Sequence, residues 1–279
     1  MNQTSTVPAT ASTLRVPDAL LHYEVRGTGP LVVLVGAPMD AAAFAPLAEL
    51  LATDHTVVTT DPRGINRSPL DNPDQDSTPG MRADDLARIL TQLDAGPAAV
   101  FGSSGGAVTA LALTQARPDL VHTVISHEPP LDELLEDRDQ IRAETEDIVA
   151  TYLSGDRTGA WRKFLAQANI VLPEPVFQQV FGAEREPQEA ADERYWFKHE
   201  MRASTNWHAD VAALSATPTR VVVGIGEEST GEFCDRTSTA LAAALGIEPT
   251  MFPGGHIAFA EDPAGFEPRL RAVLRGANS

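Results

Sequence analysis

Five consecutive residues, Gly102-Ser103-Ser104-Gly105-Gly106, carry no side chain larger than a hydroxymethyl. An apolar run, "AAVF", precedes them and an Ala/Leu-rich stretch, "AVTALALTQA", follows. A flexible linker would join domains, but here strand-like and helix-like segments flank the glycines directly. A phosphate-binding loop would need Gly-Lys-Ser/Thr or G-x-G-x-x-G, and neither is present. The remaining reading is G-x-S-x-G, a sharp strand-to-helix turn that presents its central serine, Ser104, with Ser103 a small filler. Small residues two before and two after the serine let backbone pack on backbone.

A serine hydroxyl is a weak nucleophile and needs a base that is itself oriented by an acid. In the α/β-hydrolases, whose nucleophile turn this G-x-S-x-G resembles, the partners follow in the chain order serine, acid, histidine. Of seven histidines, His22 and His55 lie upstream of Ser104. His122 and His127 belong to a strand pattern, and His199 and His208 to a helical stretch. His256, in the Gly-Gly loop "FPGGHIAFAEDP", is late in the chain and sits between a strand-like run and the last helix. It is the candidate base. The preceding strand, "TRVVVGIGEES", offers Glu227 as the acid, with Glu228 beside it as the alternative. An oxyanion hole requires two backbone N–H donors. Gly105 supplies one, and Ala37, after Gly36 in "VGAPMD", the other.

These residues need a frame. "LLHYEVR" (20–26) alternates as a half-buried strand does, and "PLVVLVGAP" (30–38) reads as a buried strand stopped by Gly and Pro. "HTVVTTDPRG", "AAVFG", "VHTVISHEPP", "TRVVVGIGE" and "PTMFPGGH" add further strands. "FAPLAELLAT", "MRADDLARILTQLDAG" and "AVTALALTQARPD" separate them as helices. Such alternation predicts an α/β fold with a mostly parallel, doubly wound sheet. Residues 131–210 contain helical patterns only. The expected organisation is a flexible tail over 1–15, a core of 16–128 with 211–279, and an inserted helical cap over 129–210. His127 and Glu128, at a strand's carboxyl end where ligands bind in open α/β sheets, are candidates for the substrate pocket. Trp207, among the cap aromatics, is a third.

The 279 residues carry a net charge of −18. That balance argues against nucleic acid and anionic membrane surfaces, which attract Lys/Arg clusters. Half of it, a net −9, falls within 128–210. The single cysteine, Cys234, allows no internal disulfide and fits a cytoplasmic protein. No CxxC, no HExxH and no metal-spaced His/Cys cluster is visible, so neither metal nor cofactor is expected. No apolar run of 18 residues predicts a transmembrane helix. The expected partner is a small-molecule substrate, and the chain is a monomer or homodimer.

"VGAP", "DPRGINRS", "GSSGG", "GIGEE" and "GGHIAFAEDP", in this order over residues 20–275, resemble the α/β-hydrolase fold superfamily in its capped serine hydrolase branch. Three departures stand out: Val35 where that family has His, Asn66 where its loop has Gly, and Glu as the triad acid. The resemblance implies a Ser104–His256–Glu227 triad and a small, neutral, partly apolar ester or lactone as substrate. It also leaves room for perhydrolase chemistry on the same triad, which halogenation with acetate and peroxide would reveal. A ligand-binding protein on the same fold would bind without turnover. A serine nucleophile sets the chain apart from the branches that use Asp, the haloalkane dehalogenases and epoxide hydrolases.

Overall fold

The computed structural model describes residues 8–276. The strands are β1 (Thr10–Val16), β2 (Ala19–Arg26), β3 (Leu31–Val35), β4 (Thr56–Thr60), β5 (Ala98–Ser103), β6 (Val121–His127), β7 (Arg220–Gly226) and β8 (Thr250–Phe252). They form one sheet in the order β1-β2-β4-β3-β5-β6-β7-β8. β1, β2 and β4 pair antiparallel, and every pair from β3–β4 to β7–β8 is parallel. β1 corrects the expectation of a flexible tail over 1–15. Thr10–Val16 pairs residue for residue with β2, and residues 1–7 lie outside the described part. "TASTLRV" is mostly exposed, so its apolar alternation is too weak to stand out in the sequence.

The central strands are apolar on both faces because helices cover both. Alternate residues pack to opposite sides. Val33 and Val35 of β3, with Val100 of β5, join the core under α2 (Pro79–Leu93) and α3 (Gly105–Ala116). Val32, Leu34 and Phe101 join the core under α1 (Ala41–Leu51) and a C-terminal helix. The period of two that defines a strand thus assigns each side chain its layer.

Between β6 and β7 the chain makes α4 (Arg138–Leu153), α5 (Arg157–Ala168), α6 (Glu174–Phe177), α7 (Pro187–Tyr195), α8 (Met201–Thr205) and α9 (Val211–Ala216). Two π-helical turns, Gln178–Gly182 and Trp196–Glu200, interrupt this run. An aromatic cluster holds the insert together: Trp161 stacks on Trp196 at 5.4 Å, and Tyr152 on Phe197 at 4.2 Å. α10 (Phe233–Leu245), α11 (Ala258–Glu261) and α12 (Pro263–Leu274) complete the fold. No helix among the described residues is long and apolar enough to cross a membrane.

Candidate active site

β5 ends at Ser103 and α3 begins at Gly105, so the whole reversal falls on Ser104. Its backbone takes φ 56° and ψ −127°, a strained conformation for a residue with a Cβ. The neighbouring glycines are dictated by contact. A Cβ on Gly102 would lie 2.3 Å from the Gly106 carbonyl oxygen, and one on Gly106 would lie 2.1 Å from the Val35 carbonyl oxygen. The turn is therefore wedged between its own helix and β3. Ser104 N–H donates to His127 O at 3.0 Å. Its hydroxyl does not cap α3 and lines a cavity at the carboxyl edge of the sheet.

Ala37, the second N–H donor expected from the sequence, lies beside this turn. Ala37, in the loop after β3, packs so closely on Gly105 that a Cβ there would meet Ala37 O at 2.5 Å. Ala37, Ser104 and Gly105 line the same cavity. Among the described residues no acceptor takes the Ala37 or Gly105 N–H, which leaves two donors beside the serine hydroxyl.

His256 lines this cavity as well, on the loop between β8 and α11. Its Nδ1 lies 2.5 Å from Oε2 of Glu128. This corrects the assignment of Glu227 as the acid. β7 runs on to Gly226, and Glu227 and Glu228 follow as exposed residues. Their backbone N–H groups donate to Phe252 O at 2.8 Å and Gly254 O at 3.0 Å. They anchor the His256 loop through main chain, and their carboxylates do not meet the imidazole.

Glu128 reaches the imidazole because of strand register. In the parallel β5–β6 pair, Ser103 lies opposite His127. The next residue on each strand is then Ser104 and Glu128, side by side past the sheet edge. Both have positive φ, 56° and 52°. Glu128 is fully buried, and its other oxygen, Oε1, accepts from Gly226 N at 2.8 Å. Burial pushes this carboxyl upward, but the bond from His256 and the nearby positive charge outweigh it. The net effect holds Glu128 well below the usual carboxylate range.

His127, expected at the pocket, instead follows Ile125 onto the α1/α12 face of the sheet. It is fully buried, with Phe101, Phe252 and Phe266 ring centroids at 5.5–5.7 Å. Its Nδ1 faces Ser103 Oγ at 3.3 Å, and its Nε2 has no partner. Trp207 is likewise not at the cavity; it packs half-buried against the core beneath α3 and α9. Glu128 sits behind His256 and does not line the cavity.

The cavity encloses about 670 Å³ of empty space, open mouth included. Core residues form its floor, and Phe164, Ile170, Trp196 and Met201 of the insert form an apolar roof. Cys234 lines the cavity too, with a thiol that burial pushes well above its usual range, so it stays protonated. Sequence spacing hid one group with ligand atoms: those of Glu128, Cys234 and His256 lie within 4.8 Å of one another. A tetrahedral zinc ion would hold its N and O ligands roughly 3.4 Å apart, and the 2.5 Å Glu128–His256 contact leaves no such room.

Comparison with known proteins agrees with this architecture. A family model described as alpha/beta hydrolase fold matches residues 29–163. The uncharacterized hydrolase YraK of Bacillus subtilis is 33% identical over 270 residues, covering 94% of this chain and 95% of its own. A zearalenone hydrolase of Bionectria ochroleuca is 27% identical, covering 92% and 95%. Among solved structures, a thermophilic esterase from Thermogutta terrifontis superposes with a TM-score of 0.71 at 20% identity, over 98% of this chain and 100% of its own.

Proposed function

This chain belongs to the α/β-hydrolase fold family and is a hydrolase, and we propose that it cleaves a small, partly apolar carboxylic ester or lactone through Ser104, His256 and Glu128. One observation carries the reading. Ser104, on its strained turn, and His256, held at Nδ1 by Glu128, open into one cavity beside two unpaired N–H groups.

The chemistry follows from which atoms are free. Nδ1 of His256 is engaged with Glu128, so Nε2 is the basic nitrogen turned to the cavity. Nε2 takes the Ser104 proton as Oγ attacks the carbonyl carbon. Negative charge gathers on the carbonyl oxygen, where the Ala37 and Gly105 N–H groups stabilise it. Glu128 stabilises the imidazolium that forms. The imidazolium then protonates the leaving alkoxide, the C–O bond breaks, and an acyl-Ser104 ester remains. Water, deprotonated at Nε2, attacks that ester and returns the serine. A lactone opens in the same way, its alcohol staying on the acyl chain. The zearalenone hydrolase among the relatives supports including zearalenone in the substrate panel.

The test is hydrolysis of p-nitrophenyl acetate through octanoate, N-acyl homoserine lactones and zearalenone by wild type, Ser104→Ala and Ser103→Ala. Labelling by a fluorophosphonate is followed by intact mass. Wild type and Ser103→Ala are expected to turn over and take one adduct, with Ser104→Ala losing at least about 10³-fold in kcat. An adduct that persists in Ser104→Ala would move the nucleophile.

A further inference from the structure

Among the described residues, Glu232 is the only carboxylate on the wall of the catalytic cavity, and no Lys or Arg accompanies it there. It is the N-cap residue of α10, the position from which an acidic side chain ordinarily turns back to its own helix. Here it makes no capping bond. Its backbone N–H is satisfied by Ser229 O at 3.0 Å, while its side chain has no hydrogen-bond or ion-pair partner among the described residues. Outside the catalytic Ser104 and His256, several polar side chains on the wall are engaged. Gln167 donates to Ile141 O and Thr145 Oγ1, Ser204 Oγ accepts from Arg82, and Thr205 donates to Met201 O. Glu232 is therefore a charged acceptor left without a partner among the described residues, half-buried in a cavity with an apolar roof.

An unpartnered carboxylate in an apolar cavity is costly to keep. The net effect of its surroundings adds to the cost: burial and the charges of Glu128 and Asp235 raise its carboxyl pKa, against a smaller lowering by His256. The Glu128 charge is already committed to His256. A donor brought by the substrate would satisfy Glu232; an anion brought by the substrate would meet uncompensated repulsion.

Resting on the hydrolase reading above, we propose that Glu232 is a specificity-determining residue that selects esters bearing a hydroxyl or ammonium group near the reacting carbonyl and rejects those bearing a carboxylate. This narrows the substrate class beyond its apolar character. The roof contributes area to any apolar ester, whereas Glu232 discriminates among esters of equal size. Discrimination by hydrogen bonding is sharper than discrimination by shape, because the wrong substrate leaves a polar group unpaired.

The test uses four phenyl butyrates of one skeleton, with a meta methyl, hydroxyl, aminomethyl or carboxylate substituent. Wild type and Glu232→Gln are compared on each, which cancels differences in leaving-group reactivity. Fluorophosphonate labelling of Ser104 in both proteins verifies an assembled site. The ratio of kcat/KM for the aminomethyl ester to that for the carboxylate ester is expected to fall about tenfold or more in Glu232→Gln, mainly through KM. Identical ratios in the two proteins would overturn the proposal. So would an equal loss on all four esters, the mark of a structural role. Should wild type cleave none of the four, the hydrolase reading itself is in question, and binding decides the matter separately. Calorimetry with 3-methylbenzylamine and 3-methylbenzoate on Ser104→Ala is expected to show preference for the amine, lost in Ser104→Ala/Glu232→Gln. No preference would overturn the proposal.

Discussion

Glu128 occupies the left-handed region at φ 52°, where a residue with a side chain rarely rests. Such strain persists only where the surroundings over-determine it. Here a main-chain bond to Gly224 O at 3.0 Å, the Oε1 bond from Gly226 and the Oε2 contact with His256 do so. Glu128→Gln keeps the shape but replaces a charged acceptor with an amide, which misorients the imidazole tautomer. The expected loss in kcat is about 10³–10⁴-fold on a p-nitrophenyl ester. Glu227→Gln, on an exposed side chain, is expected to change it by less than about threefold. A steady-state comparison of the two variants decides the acid, and the reverse order would return that role to Glu227. Ser104, Gly105, Ala37 and His256 were legible in the sequence because each is marked by a local pattern of glycine around it. Glu128 was not, because its role depends on what lies beside it on the neighbouring strand, and no local pattern encodes that. The sequence placed Glu128 at a strand's carboxyl end as a pocket candidate; that it leaves its strand one residue past the end, as Ser104 does, and so meets His256, follows only from register.

At the scale of elements, the sheet and its helices follow from periodicity, and the loops that aim the site follow from side chains filling backbone needs. The oxyanion loop after β3 is an example. Asp40 caps α1 with bonds to Ala42 N and Ala43 N. Its other oxygen accepts from Asn66 Nδ2 at 2.6 Å. Asp61 braces the same region, accepting from Ala41 N at 3.0 Å while Arg67 grips both of its oxygens. Asn66 stands where the family has glycine, yet it takes the same kind of backbone, φ 48°. Asn tolerates that region better than other side chains do, and here it adds a bond to Asp40 that glycine lacks. Asn66→Ala is expected to cost about 1–2 kcal/mol by denaturant titration, combining backbone strain with a lost hydrogen bond. Asn66→Gly relieves the backbone and loses only the bond, so it is expected to cost less. Equal losses would mean that the backbone conformation contributes nothing. The substitution was visible in the sequence; its Asp40 partner was not, since the two lie on different loops.

At the scale of the whole molecule, the sheet core carries a titratable group that the chemistry does not use. His127 lies in the layer beneath α1 and α12, edge-on to Phe252 and Phe266, with Nε2 unpartnered. Burial pulls its pKa down from the usual 6.5 to about 4, with Glu128 opposing and His256 adding to the shift. The folded protein therefore holds His127 neutral where the unfolded chain would take up a proton. The sign follows from that difference: the contribution to stability is fully present above about pH 6.5 and is lost progressively as pH falls toward about 4. A 2.5-unit difference corresponds to roughly 3 kcal/mol across the window. His127→Leu, similar in volume and without a titrating nitrogen, is expected to remove that slope. Denaturant midpoints of both proteins between pH 7.5 and 4.5 measure it, and the wild-type curve is expected to fall more steeply. Parallel curves would mean that His127 finds a way to stay charged inside the fold. Other groups titrate nearby: burial raises the carboxyls of Glu200, Asp132 and Asp192 in the insert, which opposes the slope, and burial lowers His122, which adds to it, so the comparison with His127→Leu is what isolates the one ring. The part of the acid sensitivity that His127→Leu removes between pH 6.5 and 4.5 belongs to one ring among three phenylalanines, placed there by the same strand register that sets Glu128 behind His256.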